Sequence, residues 1–263
     1  MTEKLTPWER VRLARRLERP TSIDYISKIF DTFIELHGDR YYGDDSAVVG
    51  GLATFNNQSI TVIGQQKGRN LKENQKRNYG MPSPEGYRKA LRLMKQAEKF
   101  NRPIVLFIDT PGAFCGIEAE QRGQGEAIAK SLFHMSNLKV PILSIVIGEG
   151  GSGGALAFGL ANEVWMLENS VYSIISPEGF ASIMYKDKKR AKEAAELMKL
   201  TAKDLLNLGI IEKIIKEPDD LTIENMDDII STLREDIGGF LKVYMSLSKE
   251  QIIDHRYERF RKI

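Results

Sequence analysis

The 263-residue sequence contains one cysteine, three histidines and no apolar run long enough to span a membrane. The single cysteine, Cys115, excludes an intrachain disulfide framework and a multi-cysteine zinc site, so we expect no metal in this chain. Histidines at 37, 134 and 255 leave few candidates for acid-base chemistry. No signal-peptide pattern opens the chain. Together these absences favour a soluble, cytoplasmic protein with no membrane partner.

An excess of charge of either sign is also lacking. The chain has 38 lysine and arginine residues against 36 aspartate and glutamate residues, a formal net charge of +2. This balance argues against nucleic acid as a partner and requires any anion-binding role to be local. The length permits one large α/β domain with terminal additions. We divide it into an N-terminal helical segment, 1–40, a core, 41–217, and a C-terminal helical segment, 218–263.

Glycine, in contrast, is concentrated in one stretch. Five of the seven residues from Gly148 to Gly154 are glycine. They follow the β-branched apolar run 141–147 and precede the apolar residues 155–161, a pattern that predicts a buried strand, a glycine loop and a helix. Glycine permits positive φ and lets the backbone lie against another molecule. The exposed peptide N–H groups at a helix start would suit an anion or a developing oxyanion.

Three mechanisms compete for this loop. Residues 148–153 fit G-x-G-x-x-G, the dinucleotide fingerprint of a nucleotide-binding module, although Glu168 is the sole candidate for its acidic partner. Residues 150–154 fit G-x-S-x-G, with Ser152 as the nucleophile of a serine hydrolase and His255 as the one histidine that follows it. In the third mechanism the glycines form an oxyanion hole and Ser152 is merely small. This third mechanism makes the fewest demands on other residues of the sequence, since it needs only backbone N–H groups.

Elsewhere the chain alternates helices and strands. Predicted strands cover 47–55, 59–64, 104–109, 141–147, 163–167, 170–175 and 210–215. Predicted helices cover 7–19, 22–36, 118–136, 155–161 and 201–209, with further helices from Ser83, Pro177 and Ser248. Asn56 and Asn57 predict a tight hairpin turn between the first two strands.

The strands at 104 and 141 each lead into a small-residue loop and a helix. Two such units imply a parallel sheet with both loops at the same carboxyl edge, where their backbone donors could converge. Asp109 ends the first of these strands. It could act as a base, but we favour a structural carboxylate bonded to nearby N–H groups.

Four motifs, taken together, closely resemble one family, the carboxyltransferase alpha subunit of bacterial acetyl-coenzyme A carboxylase. They are GMPSPEGYRKA at 80–90, IDTPGA at 108–113, IGEGGSGGA at 147–155 and ISPEG at 175–179. The resemblance runs from about Trp8 to the C-terminus. It implies an α/β fold of the ClpP/crotonase type, a spiral of β-β-α units with N- and C-terminal helices.

The resemblance also implies an enzyme that is active only with its beta subunit, in an alpha2 beta2 heterotetramer. The family transfers the carboxyl group of carboxybiotin, borne on the biotin carboxyl carrier protein, to acetyl-coenzyme A. The product is malonyl-coenzyme A, and the reaction is the first committed step of fatty acid biosynthesis. Biotin carboxylase completes the full complex. Carboxybiotin is then a substrate on another protein, and no cofactor is bound covalently to this chain.

Motif position suggests which residues act. Gly153 and Gly154 are expected to form the hole facing the biotin urea oxygen, with Gly112 and Ala113 as companions from the preceding loop. A second set is expected to contact substrate: Gly150, Gly151, Phe114, Lys67 and Arg69. The last two are chosen from the local basic charge of residues 65–79, which is either a solvated face or a contact for the phosphates of coenzyme A.

Overall fold

The computed structural model describes residues 5–262, and an eight-stranded mixed sheet forms the centre of that part of the chain. The strands are β1 Thr32–Glu35, β2 Val48–Phe55, β3 Gln58–Gln65, β4 Ile104–Thr110, β5 Ile142–Gly151, β6 Glu163–Leu167, β7 Val171–Ser173 and β8 Lys213–Ile215. They are ordered β1-β2-β3-β4-β5-β6-β8, and β7 pairs with the end of β5. The pairs among β1, β2 and β3 are antiparallel, and the pairs from β3 to β8 are parallel.

Helices connect the strands and flank the sheet. They are α1 Pro7–Ala14, α2 Ser22–Ile29, α3 Leu71–Lys76, α4 Pro84–Lys99, α5 Ile117–Gln121, α6 Gln124–Asn137, α7 Ser152–Leu156, α8 Pro177–Met184, α9 Ala191–Leu197, α10 Ala202–Asn207, α11 Asp227–Tyr244 and α12 Lys249–Arg261. Within residues 5–262, none of them combines the length and the apolar character that crossing a bilayer requires.

The sheet is buried on both faces because helices cover each side. On one side, α2 and α11 pack against a hydrophobic cluster that includes Phe107 and Trp165. On the other side, α4 and α6 pack against a cluster that includes Leu106 and Ile108. Successive residues of β4 therefore enter opposite clusters, as the two-residue period of a strand requires. Burial on both faces explains why the central strands are continuously apolar rather than alternating.

The predicted hairpin is confirmed. β2 and β3 pair antiparallel up to Phe55 and Gln58, and the two residues between them, Asn56 and Asn57, adopt φ of 48° and 63°. Asparagine tolerates this left-handed conformation, and a two-residue turn of this kind matches the twist of the flanking strands.

Three helix predictions are wrong in extent. The predicted helix 22–36 ends at Ile29, because residues 32–35 instead form β1 and pair with β2. The predicted helix 7–19 ends at Ala14. The predicted helix 118–136 is divided into α5 and α6 at Gly123, whose φ is +81°. Strand pairing and glycine conformation override helical periodicity here. The division at residues 40 and 217 stays a prediction, although β1 joins the N-terminal segment to the sheet of the core.

Arg256 connects α12 to the core through hydrogen bonds. This residue is only 1% exposed. Its guanidinium donates to the carbonyl oxygens of Met135 (2.8 Å), Leu138 (2.9 Å) and Val140 (3.0 Å). It also donates to Asn162 Oδ1 at 2.8 Å. Burial lowers the pKa of Arg256 to about 10, so the group stays charged at neutral pH. The side chain thus supplies donors to the C-terminus of α6, where helical carbonyls lack partners of their own.

Replacing Arg256 should destabilise the fold strongly. The Arg256→Met variant would leave several buried carbonyls without a donor, so we expect the free energy of unfolding to fall by about 3 kcal/mol. Urea denaturation of the purified chain measures this loss. The matched control is Arg261→Met on the same helix, because Arg261 is exposed and bonds only a neighbouring tyrosine hydroxyl. Equal shifts of the two midpoints would contradict the assignment.

Candidate active site

The candidate site lies where β4 and β5 end. The predicted glycine loop is wrong in its first half, because β5 continues to Gly151. β7 supplies a parallel partner there, pairing Gly150 with Tyr172 and Gly151 with Ser173. Ser152 then adopts φ of 56° and begins α7, so the helix predicted over 155–161 starts three residues earlier and ends at Leu156. Five residues carry little macrodipole, so any anion must be served by individual N–H groups.

Three glycines of the run, spaced three residues apart, face the end of β4 and the chain that follows it. A Cβ would clash there: at Gly148 with Asp109 Oδ1 (2.4 Å), at Gly151 with Pro111 O (2.2 Å) and at Gly154 with Ala113 N (2.5 Å). Only a residue without a side chain permits such approach. The two backbones therefore pack directly against each other.

The remaining two glycines face elsewhere. A Cβ on Gly150 would lie 2.7 Å from Tyr172 Cδ2, so this glycine makes room for an aromatic ring. A Cβ on Gly153 would lie 3.9 Å from Ile128 Cγ2, an ordinary van der Waals distance. Of the five glycines, Gly153 alone has space for a side chain. That space is a cavity.

This cavity has a volume of about 330 Å³. Its lining consists of backbone from three segments together with apolar side chains: Pro111, Gly112, Ala113, Ile128, Ser152, Gly153, Gly154, Ile174, Ile175 and Ser176. All four residues predicted to be catalytic are thus brought together in one place: Gly112, Ala113, Gly153 and Gly154.

Three residues of the cavity lining have backbone N–H groups without a partner in the part of the chain that the structure describes. The N–H groups of Ala113, Gly153 and Gly154 have no hydrogen-bond acceptor within residues 5–262. The latter two belong to the first turn of α7, where no intrahelical acceptor exists. Gly112 differs, because its N–H donates to Thr110 Oγ1 at 3.1 Å and its φ is +152°. Gly112 therefore shapes the loop, and its amide is already engaged.

Two buried glutamines hold the donor segments in place. Gln65 donates from Nε2 to the carbonyl oxygen of Gly154 at 2.8 Å. Gln124 donates from Nε2 to the carbonyl oxygens of Phe114 (2.7 Å) and Pro82 (2.9 Å). The sequence alone did not identify either residue, because a glutamine that hydrogen-bonds to the backbone of another segment leaves no pattern in the neighbouring sequence.

The apolar walls were also missed. Ile128 belongs to α6, and Ile174 and Ile175 precede α8. The ISPEG motif at 175–179 includes part of this wall, and its Ser176 is the N-cap of α8, where Oγ accepts from Gly179 N at 3.1 Å. A larger apolar cavity of about 750 Å³ adjoins the first and shares Ser152, Gly153, Ile174 and Ile175 with it.

Three of the residues predicted to bind substrate do not line the smaller cavity. Gly150 and Gly151 belong to β5 and are enclosed by neighbouring chain. The Phe114 ring packs over Gly116, whose Cβ would lie 2.5 Å from Phe114 Cε1. These three residues therefore lie outside the cavity lining and pack against neighbouring parts of the chain.

The two predicted basic contacts are already paired with carboxylates. Lys67 Nζ lies 2.7 Å from Asp109 Oδ1 and 2.9 Å from Glu149 Oε2. Burial by itself would lower the pKa of Lys67, but attraction by these two carboxylates outweighs it and raises the pKa above its usual value. Arg69 forms an ion pair with Asp24. The structure therefore brings neither side chain into the cavity.

Asp109 has the structural role that the sequence favoured. Besides the Lys67 ion pair, Asp109 Oδ1 accepts the backbone N–H of Glu149 at 2.9 Å. The side chain thereby links the end of β4 to β5, and the absence of a Cβ on Gly148 makes the approach possible. The prediction of a carboxylate bonded to nearby N–H groups is confirmed.

Comparison with known proteins identifies the family. A family model described as acetyl co-enzyme A carboxylase carboxyltransferase-like matches residues 1–263. The chain belongs to this family. It is 63% identical over 262 residues to the acetyl-coenzyme A carboxylase carboxyl transferase subunit alpha of Clostridium acetobutylicum, covering 100% of this chain and 96% of that protein.

A further relative joins two subunits in one polypeptide. The chain is 56% identical over 263 residues to a Clostridium tetani protein named acetyl-coenzyme A carboxylase carboxyl transferase subunits beta/alpha. The match covers 100% of this chain and 46% of that longer protein. In that relative, alpha and beta sequences are therefore covalently linked.

Solved structures confirm the fold of this carboxyltransferase family member. Transcarboxylase 12S, solved with methylmalonyl-coenzyme A and methylmalonic acid bound, matches with a TM-score of 0.71 and 20% identity over 92% of this chain and 46% of that chain. A Pseudomonas malonate decarboxylase hetero-tetramer in complex with coenzyme A matches with a TM-score of 0.71 and 14% identity, covering 90% and 92%. Such likeness shows the fold alone, and the expected crotonase-type architecture is confirmed.

The geometry does not support the serine hydrolase alternative. Within residues 5–262, Ser152 has no hydrogen bond to a histidine. His37 instead contacts Asp44, and His255 contacts Tyr244 at 3.1 Å. A nucleophilic serine requires an adjacent general base. The nucleotide-binding alternative gains no support either, because three of the five glycines are enclosed by neighbouring backbone or by Asp109 rather than open to a ligand.

The close packing of the two backbones predicts a sharp contrast between glycines. Gly151→Ala would place a methyl group 2.2 Å from Pro111 O, so the β4 loop must move. We expect the free energy of unfolding to fall by more than about 2 kcal/mol. The control is Gly239→Ala, at an exposed position of α11 where a Cβ meets nothing within 4 Å. There we expect a gain of about 0.5–1 kcal/mol from helix propensity. Thermal or urea unfolding that ranks the two variants in the opposite order would contradict this packing.

Proposed function

We propose that this chain is the alpha subunit of the carboxyltransferase component of acetyl-coenzyme A carboxylase. In this role it transfers the carboxyl group of carboxybiotin to acetyl-coenzyme A and yields malonyl-coenzyme A for fatty acid biosynthesis. Family membership supports the assignment. The structural observation that carries it is the cavity, where the N–H groups of Ala113, Gly153 and Gly154 lack acceptors among the described residues.

The proposed chemistry needs stabilised negative charge. Carboxybiotin supplies the carboxyl group, and its release as carbon dioxide leaves charge on the urea oxygen. The biotin ring nitrogen then takes the proton that the methyl carbon of acetyl-coenzyme A loses, and that carbon attacks the carbon dioxide. The N–H groups of Gly153 and Gly154 would donate to the urea oxygen, with Ala113 on the facing loop. Donors fixed by the fold stabilise such charge without having to reorganise. Removing one comparable donor raises the activation free energy by about 3 kcal/mol. Gly112 would act by holding the loop, since Thr110 already occupies its amide.

The cavity fits a biotin ring on physical grounds. Ile128, Ile174 and Ile175 provide apolar walls, and the backbone donors belong to the segments 111–113 and 152–154. A bicyclic ureido ring has an apolar body and one strong acceptor oxygen, so it requires both features in one place. The lining holds no carboxylate to compete for the donors.

Several parts of the reaction belong to partners. We propose that the beta subunit supplies the donors for the thioester oxygen of acetyl-coenzyme A, in an alpha2 beta2 assembly. The biotin carboxyl carrier protein would deliver carboxybiotin, biotin carboxylase would reload it, and the complex would work in the cytoplasm. The beta/alpha relatives support the beta-subunit partnership. We assign Lys67 no phosphate contact, because two carboxylates hold its ammonium. Arg69, whose side chain is 51% exposed and pairs with Asp24 alone among the described residues, stays a predicted contact for the phosphates of coenzyme A.

A substitution at Gly153 tests the proposed donors without disturbing the fold. Gly153→Ala adds a methyl group that has room beside Ile128 but projects toward the cavity. The N–H remains, but the methyl group would displace the ring from it, so we expect unchanged thermal stability and at least a roughly tenfold loss of kcat for malonyl-coenzyme A formation. The assay uses the chain reconstituted with a beta subunit and a biotinylated carrier, with each component also left out in turn. Gly125→Ala on α6, where a Cβ meets nothing within 4 Å, is the control. Full activity of Gly153→Ala would refute the site.

A second substitution separates this function from acyl hydrolysis. Ser152→Ala removes the only hydroxyl of the glycine run but no backbone N–H. We expect less than about a threefold change in kcat in the same reconstituted assay, since no step needs a serine nucleophile. Near-total loss of activity, or acylation of Ser152 found by mass spectrometry, would favour the hydrolase instead.

A further inference from the structure

Five charged side chains form a continuous network around the carboxyl ends of β4 and β5. Lys67 bridges Asp109 (2.7 Å) and Glu149 (2.9 Å). Arg15 bridges the other oxygen of Glu149 (2.7 Å) and Glu178 (2.6 Å). Asp109 and Glu149 both contact one ammonium, so these two carboxylates lie no farther apart than the sum of its two distances. The order along the network is Asp109, Lys67, Glu149, Arg15 and Glu178.

Each acid of the network sits beside a different wall of the smaller cavity. Asp109 is two residues before Pro111, where the first wall begins. Glu149 is three residues before Ser152, where the second wall begins. Glu178 is two residues after Ser176, where the third wall ends. The two basic side chains therefore connect all three backbone segments that line the site.

The walls cannot fix their own spacing by side-chain packing. Gly112, Gly153 and Gly154 have no side chains to interlock, and the contact between the two segments is backbone against backbone. The charged network contacts the same short segments at their other ends, at Asp109, Glu149 and Glu178. Lys67, Asp109 and Glu149 are largely buried, with 19%, 9% and 12% of their side chains exposed. The Lys67 ion pairs are therefore screened little by solvent, whereas the pair of Arg15 with Glu178, whose side chains are 33% and 39% exposed, is screened more.

We propose that Lys67 and Arg15 are positioning residues that set the spacing of the cavity walls and so align the donor N–H groups. This inference rests on the proposed function for its kinetic readout, and its structural readout is independent of that function. Neither side chain lines the smaller cavity. Both line a separate cavity of about 270 Å³ that meets the smaller one at Pro111, so each reaches the donor segments only through the acids it joins. Losing Lys67 leaves two buried carboxylates facing each other, and repulsion between them would separate the ends of β4 and β5.

The kinetic test compares Lys67→Met with Lys67→Arg in the reconstituted enzyme. A shift of the donors by a fraction of an ångström should lower kcat by roughly 10- to 100-fold in Lys67→Met. The KM for carboxybiotin carrier should change by less than about threefold, because apolar walls still hold the ring. Lys67→Arg keeps the positive charge and should recover part of the lost kcat. A loss that appears in KM, or no recovery with arginine, would overturn the proposal.

The control is Lys89→Met. Lys89 is another fully buried lysine, paired with Asp44 at 2.6 Å, and it lines no cavity described here. We expect it to lose stability with kcat within about threefold of the parent. If Lys67→Met does not fold, Arg15→Met tests the second bridge, with Arg15→Lys as its charge-preserving partner. Equal kcat losses for Lys89→Met and the network variants would show a general effect of stability and would overturn the proposal.

Hydrogen exchange of the folded chain gives the independent readout. In Lys67→Met, amides of residues 110–114 and 149–156 should exchange at least about tenfold faster, while those of α11 stay unchanged. Unchanged exchange in both segments would overturn the positioning role. If wild-type protein fails to form malonyl-coenzyme A but exchange responds as expected, the proposed function fails while the network stands.

Discussion

The site depends on direct contact between two backbones. The β5 strand and the segment that follows β4 approach so closely that a Cβ at Gly148, Gly151 or Gly154 would overlap the other chain. This spacing places the amide of Ala113 beside the first turn of α7, where the Gly153 and Gly154 amides lack intrahelical partners. Glycine is therefore required at these positions because it lets the two chains come close together, at least as much as because it permits unusual dihedral angles. In this run the positive φ is found at Ser152 rather than at a glycine.

The strand pairing of β5 with β4 and β7 ends at Gly151, so it does not by itself fix the segments that follow it. Polar groups around the contact supply what the glycines cannot. Gln65 and Gln124 each bond a carbonyl of one donor segment, and the network from Asp109 to Glu178 holds the strand ends from behind. Polar groups of this kind are specific in direction as well as distance. The result is a set of backbone donors whose segments are held by hydrogen bonds from buried side chains.

Much of the site could be predicted from the sequence, since parallel strand-loop-helix units bring their loops to one edge of a sheet. Gly112, Ala113, Gly153 and Gly154 lie around one cavity for this reason. Local periodicity could not show that residues 32–35 pair with β2, or that β7 extends β5 through Gly151. Nor could it show that Lys67 lies between two carboxylates distant in sequence. Long-range pairings of charge and of strands leave no signal in neighbouring residues.

The central claim is that backbone amides of this chain hold the charge that carboxyl transfer leaves on biotin. A crystal structure of the chain with a beta subunit and bound biotin tests it most directly. We predict that the urea oxygen lies about 3 Å from the amide nitrogen of Gly153 or Gly154, at hydrogen-bonding geometry. A biotin ring bound outside the cavity, or inside it with the urea oxygen turned away from both amides, would contradict the account.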